Sequence, residues 1–268
     1  MQLSTYENIN QENIIFNKVK EYKVKDSNIK YKRIPIEAKY PNGKKGPLVL
    51  ESPFLFSFGV SEIKDQKTGR LNGYSIPVCL WNRDSVPNSK ELAFFDTLNN
   101  IVLMTQKHLE DEFGPDCASS LSSPFYYKQI EYTDKKGRTK TKKDDTSAPV
   151  LYVKLIYSEK SKKILSLFKG KGGKDLNPFK FINQYCNVKL ALIIEGIFIS
   201  KTVTSLQMKV HECYVKPLEP RKSLLTIEEE DSDSDSDSDI DNVSDSKGEE
   251  ITDQVVDDLL LSDEEETK

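Results

Sequence analysis

The chain holds few residues of the kinds that do acid–base, nucleophilic or metal chemistry. Its two histidines are His108 and His211. His108 precedes Leu109 at a helix edge, and His211 stands beside Glu212 and near Cys213. One His-x-Cys pair supplies too few ligands for a metal, so both histidines read as structural or surface residues. The run Lys169-Gly170-Lys171-Gly172-Gly173-Lys174 lacks the Ser/Thr and the helix register of a phosphate-binding loop. No nucleophile elbow, Ser-x-x-Lys or His-Glu-x-x-His motif occurs. Glu110-Asp111-Glu112 reads as a solvated helix end. The four cysteines (Cys79, Cys117, Cys186, Cys213) are scattered, with no Cys-x-x-Cys pair. A zinc ribbon is therefore not supported, and a reducing compartment is the default. The expectation is a non-enzyme with no cofactor and no metal.

A different chemistry is well supplied. Binding a single nucleic-acid strand needs cations that track phosphates and flat rings that receive unstacked bases. Here the two are interleaved. Tyr74, Trp81 and Arg83 lie on or just after one strand. Tyr126, Tyr127 and Lys128 follow, then a basic loop. That loop carries Lys135, Lys136, Arg138, Lys140, Lys142 and Lys143, six cations within nine residues. Tyr152, Lys154 and Tyr157 alternate on the strand that leaves it. These residues are the candidate nucleic-acid contacts. Tyrosines flanked by lysine are the better stacking candidates. Phe54, Phe56 and Phe58 alternate, so they share one strand face, but aromatic residues in β-proteins are ordinarily core. These three are expected to be buried, as are Phe95, Phe113 and Phe198.

Charge is segregated along the chain. Of 39 basic and 43 acidic residues, Glu228 to Lys268 hold two lysines and 19 acids, a net −17. The remaining 37 basic and 24 acidic residues leave residues 1–227 at +13. A basic body points to a polyanion partner. The tail, with its run EEEDSDSDSDSDID, repels itself and cannot bury enough apolar surface to order. Within it, Leu259, Leu260 and Leu261 could anchor in a partner's groove. Ser232, Ser234, Ser236 and Ser238 suit acidophilic kinases. The longest apolar run, Leu190 to Ile194, is far short of the roughly 20 residues of a membrane span. The opening MQLSTYENINQEN has no basic start and no apolar h-region, so neither membrane nor secretion is expected.

Elements must position these groups. Leu48 to Val60, Tyr74 to Trp81, Pro124 to Tyr132 and Pro149 to Tyr157 read as strands, with Pro53 making the first irregular. Val188 to Ile199 and Val203 to Val215 read as a hairpin. Asn88 or Ser89 caps one long helix that runs to Gly114, with Phe95, Leu98, Val102, Leu109 and Phe113 on its apolar stripe. A short helix starts at the Asn177 cap with Pro178 in its first turn and runs to about Tyr185. The fold class is mainly β, a β-rich α+β domain. It is an OB-like, partly open barrel with one long and one short helix and a disordered C-terminal tail. The expected division is an N-terminal arm over 1–45, the OB-like domain over 46–220, and the acidic tail over 221–268.

GPLVLESPFLFSFGV (Gly46 to Val60), YSIPVCLW (Tyr74 to Trp81), SPFYYK (Ser123 to Lys128) and the segment Asn177 to Val215 together resemble a known group. They are similar to single-stranded-DNA-binding proteins of nucleocytoplasmic large DNA viruses. The resemblance covers about residues 30–216. It implies an OB fold, coating of DNA in replication or repair, and contact with replication proteins through the tail. It also implies an intracellular site, in the host cytoplasm or nucleus where viral replication occurs. Tails of the similar phage proteins tend to end on an aromatic residue, whereas this one ends Glu-Glu-Glu-Thr-Lys.

The function expected is sequence-independent binding of single-stranded DNA in a basic aromatic groove, with the tail competing for that groove and recruiting partners. The sequence leaves DNA against RNA open, and self-association as well. The alternative is a protein-interaction module, such as a chaperone of basic DNA-packaging proteins, that binds no strand.

Overall fold

A computed structural model of the chain describes residues 2–218, apart from 7, 8, 10, 24–28, 66, 67, 83–85, 134 and 145. The strands that matter here are β1 (Lys20–Lys23), β2 (Lys30–Lys39), β3 (Lys45–Glu51), β4 (Leu55–Ser57) and β5 (Leu71–Cys79). After them come β6 (Gln129–Thr133), β7 (Thr139–Lys143), β8 (Val150–Leu155), β9 (Cys186–Ile199) and β10 (Thr204–Pro217). The helices are α1 (Ser89–Phe113) and α2 (Pro115–Ser119).

Five strands close a ring. β4 pairs with β5, β5 with β8, β8 with β10, β10 with β9, and β9 returns to β4. Four of these contacts are antiparallel; β8 on β10 is parallel. This is the Greek-key barrel of the OB type that the sequence predicts. The period-2 pattern explains its interior. In β9, Cys186, Val188, Leu190, Leu192 and Ile194 are buried, while Asn187, Lys189, Ala191, Ile193 and Glu195 are half-buried on the other face. Tyr74, Ile76 and Val78 of β5 and Leu151, Val153 and Leu155 of β8 face the same core.

Helix α1 completes that core. Asn88 accepts from the backbone amides of Lys90 and Glu91, and the Glu91 carboxylate accepts from the Asn88 amide, which makes a capping box. Leu98, Val102 and Leu109 of the expected stripe are buried. Phe95 and Phe113 are only half-buried, and the deepest aromatic is Phe94. The stripe is therefore rotated toward Phe94 and Ile101.

Several boundaries differ from expectation. Leu48–Val60 is two strands, because the ladder ends at Ser52, whose amide still donates to Leu190 O, and Pro53 has no amide to give. The Ser52 hydroxyl donates to Pro53 O and accepts from the Leu190 amide. Pro124–Tyr132 also splits: Phe125–Tyr126 pairs with β8, whereas β6 pairs with β7. The basic loop is thus half a hairpin. Thr139 and Thr141 alternate with Lys140 and Lys142, a pattern that favours a strand. The segment after Asn177 is a 3₁₀ turn over Pro178–Phe181, shorter than expected; Asn177 caps it by accepting from Phe179 N. The short α-helix is α2.

All four thiols are free. Burial pushes Cys186 up to about 12 and Cys213 well above its usual value, and Cys79 is also buried. Cys117 is half-exposed and is raised less by its burial. Only thiolates react, so a raised pKa means slower alkylation at neutral pH. Native protein should be alkylated at Cys117 first, with Cys79, Cys186 and Cys213 modified only on unfolding. Peptide mass mapping with and without denaturant measures this.

Candidate nucleic-acid interface

The face of β4, β5 and β8 that points away from the core is not plainly polar. Cys79, Ala148 and Val150 form a small buried floor there, and Phe56, Phe58, Trp81 and Tyr152 pack around it. Phe56 and Phe58 meet edge-to-face at 5.3 Å, and each meets Tyr185, at 5.6 and 5.8 Å. Tyr126 stands edge-on to Tyr152 at 5.3 Å. All these rings are partly exposed. Phe54 is 49% exposed. The expectation that Phe54, Phe56 and Phe58 are core is corrected: Leu55 and Ser57, the residues between them, face inward. Gly59 makes the arrangement fit. At φ 88°, a Cβ there would lie 2.5 Å from the carbonyls of Phe181 and Gln184. That close approach carries Tyr185 to the phenylalanines.

The β6–β7 hairpin rises beside Tyr126 and Tyr127. Alternation gives it two unlike sides. Lys128, Ile130, Tyr132, Lys140 and Lys142 share one; Gln129, Glu131, Thr133, Thr139, Thr141 and Lys143 share the other. Lys142 lies over the Tyr132 ring at 5.8 Å and Lys143 over Tyr127 at 3.4 Å. Lys135, Lys136 and Arg138 sit in the turn around Gly137, whose φ of 74° suits glycine. Every residue of β7 is exposed. The hairpin has no core of its own, and such ribbons are marginal in water. Its base is pinned by Asp144. The Asp144 amide donates to Lys128 O at 2.8 Å. Its carboxylate accepts from the Ser147 and Thr146 hydroxyls and the Thr146 amide. Those bonds hold its pKa down to about 2.

The barrel wall itself holds two buried lysines. Lys154 and Lys209 are register partners across the parallel β8–β10 contact and are 3% and 5% exposed. Lys209 reaches Glu195 at 3.5 Å. Lys154 shares a small cleft with Tyr126, Tyr152 and Gln207.

The structure therefore brings Tyr126, Tyr152 and Lys154 together, with Lys128 and the hairpin cations beside them, whereas Tyr127 packs against the main core under Lys143. It does not bring Tyr74 there. Tyr74 is a core residue, edge-on to Tyr157 at 5.2 Å and to Phe179 at 5.5 Å. Burial raises the phenol pKa of both Tyr74 and Tyr157. Alternation fails for Tyr157 because β8 ends at Leu155. Trp81 packs edge-on against Phe95 of α1 at 5.5 Å, so it anchors the aromatic floor rather than standing free. Arg83, Leu259, Leu260, Leu261 and the whole acidic tail lie outside the described residues. Sequence reasoning missed Tyr185 and Lys209. No local pattern marks Tyr185, which follows the short 3₁₀ turn, whereas Lys209 stands on the polar face of a strand whose pattern was read. His108 stacks on Phe16 at 4.5 Å, a structural role. Among the described residues, no group of three or more His, Cys, Asp or Glu is placed to hold a metal. Among them, too, no helix is long and apolar enough to cross a membrane.

A family model matches residues 7–254, nearly the whole chain. This chain belongs to the DUF2738 family, described as proteins of unknown function. No curated protein matches it. Among solved structures, the DUF2738 chain is similar to the single-stranded DNA-binding protein from bacteriophage Enc34 in complex with ssDNA. The identity is 11%, over 69% of this chain and 92% of that one, with a TM-score of 0.39.

The rings of this DUF2738 protein sort into two stability classes. Tyr74→Ala empties a core position and should cost about 3–5 kcal/mol. Tyr126→Ala and Tyr152→Ala remove half-exposed rings and should cost only about 1 kcal/mol each. Urea unfolding of the three variants makes the comparison.

Proposed function

We propose that this protein binds single-stranded DNA without base-sequence preference and is not an enzyme. One observation carries the reading: partly exposed rings and closely spaced cations occupy the same side of an OB-like barrel. Rings such as Tyr126, Tyr152, Phe56 and Tyr185 offer π-faces to any base. The cations of β7 and of the β6–β7 turn supply the phosphate contacts, together with Lys128. A ribbon without a core can adapt its position to the strand it meets.

In this reading residues 46–220 are the binding unit, 1–45 an arm and 221–268 a regulatory tail. A tail of net −17 tethered to a cationic surface has a high effective concentration there. It competes with weak phosphate contacts and is released when a strand displaces it. Leu259 to Leu261 then become available to replication proteins. The role is coating of replication or repair intermediates, as in the viral proteins the sequence resembles. Charge segregation also fits an interaction module for basic proteins, and the same experiment separates the two.

Anisotropy of a labelled oligonucleotide is titrated with the full chain and with residues 1–227. Single strands should bind more tightly than duplex. If about five phosphates are neutralised, affinity should fall roughly 100-fold between about 50 and 200 mM salt. A flat salt response, or no binding by either chain, rejects strand binding in favour of the interaction module. Residues 1–227 should bind more tightly than the full chain; equal or weaker binding rejects tail competition. Replacing Lys135, Lys136, Lys140 and Lys142 by glutamate should weaken binding and flatten the salt slope by about 0.7 per lost contact.

A further inference from the structure

A second concavity lies farther along the same outer face, between barrel strands β9 and β10 and the N-terminal strands. It is a cleft of about 440 Å³ where β2 meets β9, lined by Tyr22, Arg33, Glu37, Ile193, Glu195 and Gln207 among others. Gln207 also lines the small cleft of Tyr126, Tyr152 and Lys154, so the two clefts adjoin at that residue. In β2, Ile34, Ile36 and Ala38 face the core, and Arg33, Pro35 and Glu37 face the cleft side.

A column of rings stands at its edge. Tyr22 of β1 stacks on Tyr31 at 5.2 Å with ring planes 3° apart, and Tyr31 stacks on Phe198 at 5.5 Å. Tyr31 and Phe198 are buried, while Tyr22 is 40% exposed. The outermost member of a rigid stack is thus presented at the cleft. The acids nearby are already engaged. Glu21 pairs with Lys32 at 3.5 Å, Glu37 accepts from Asn17 Nδ2 at 3.0 Å, and Glu195 pairs with Lys209. Lys20, two residues before Tyr22 and so on the same side of β1, is exposed and stands across from Arg33 in register. The β1–β2 ribbon thus carries more positive than negative charge, Lys20, Lys23, Lys30, Lys32 and Arg33 against Glu21 and Glu37.

From this juxtaposition we infer that the cleft is a second nucleic-acid subsite, which takes one base of the bound strand on Tyr22 and a flanking phosphate on Lys20. It rests on the strand-binding reading and extends it. The bound strand runs from the β6–β7 hairpin, past Tyr152 and Gln207, to the N-terminal strands. The N-terminal strands then lengthen the footprint past the barrel. The occupant follows from the flat exposed ring, the exposed Lys20 on the same side and the boundary that the cleft shares with the primary face at Gln207.

The test compares thymidine oligonucleotides of about 5 and about 20 nucleotides, within and beyond the span of one OB face. Tyr22→Ala should weaken binding of the long one by about 5- to 100-fold, the worth of one stacked base, and leave the short one unchanged. Tyr22→Phe should bind both as the wild type does. In parallel, a long oligonucleotide carrying 5-iododeoxyuridine is photocross-linked to the unaltered full chain and the peptides are mapped. Cross-links to Tyr22 support the subsite even if Tyr22→Ala folds poorly. Wild-type binding of both lengths by Tyr22→Ala, or cross-links confined to Tyr126, Tyr152 and the hairpin, overturns the subsite while strand binding stands. No binding of either length by the unaltered chain overturns both.

Discussion

The long antiparallel pair β9–β10 is the constraint on which the other parts depend. Each strand has 14 residues, and the pair stays in register through two shifts. One edge of β9 is used three times: by β4 near its start, by β3 in the middle and by β2 at its end. The handover to β2 happens at Gly196, where a Cβ would lie 2.3 Å from the Ile34 carbonyl. A strand that serves three partners must bend, and the register shift beside Gly196 supplies that bend. The same bend opens the cleft beside Arg33. Barrel, N-terminal strands and outer groove are thus consequences of one hairpin.

The two faces of this sheet do different work with the same alternation. The inner face merges with α1 into one apolar core that excludes the histidines and most of the cations. The outer face keeps rings and ammonium groups together. Aromatic rings tolerate half-burial because their edges pack while a face remains available. Lys154 and Lys209 show how far this goes: their stems lie within the sheet surface, with Glu195 to offset the charge.

Much of this was legible in the sequence where period and punctuation agree. The alternation of β9, the Asn88 cap and the turn at Gly114 located the longest strand and the longest helix. The Tyr126–Lys143 segment was legible because rings and cations are interleaved within it. What was not legible depended on contacts distant in the chain. Tyr74 looks like an exposed tyrosine until Tyr157 and Phe179 are brought to it. Phe56 and Phe58 look like core until Ser57 bonds Pro77 O at 2.8 Å and turns them outward. Tyr185 joins them only because Gly59 permits backbone contact with Gln184. The N-terminal segment read as a mixed arm, since its lysines conceal the strand period that Tyr22 and Tyr31 share.

The connection between Ser52 and Leu190 carries a kinetic consequence. The two residues are 138 positions apart, and their hydrogen bonds join the strand leading into β4 to the one that closes the ring. Closing so long a segment is costly in chain entropy before any contact rewards it. During synthesis, β2 to β5 must wait with open edges until β9 and β10 have emerged. The barrel can therefore close only once Pro217 has emerged, and the strands made first face the longest exposure to wrong pairing.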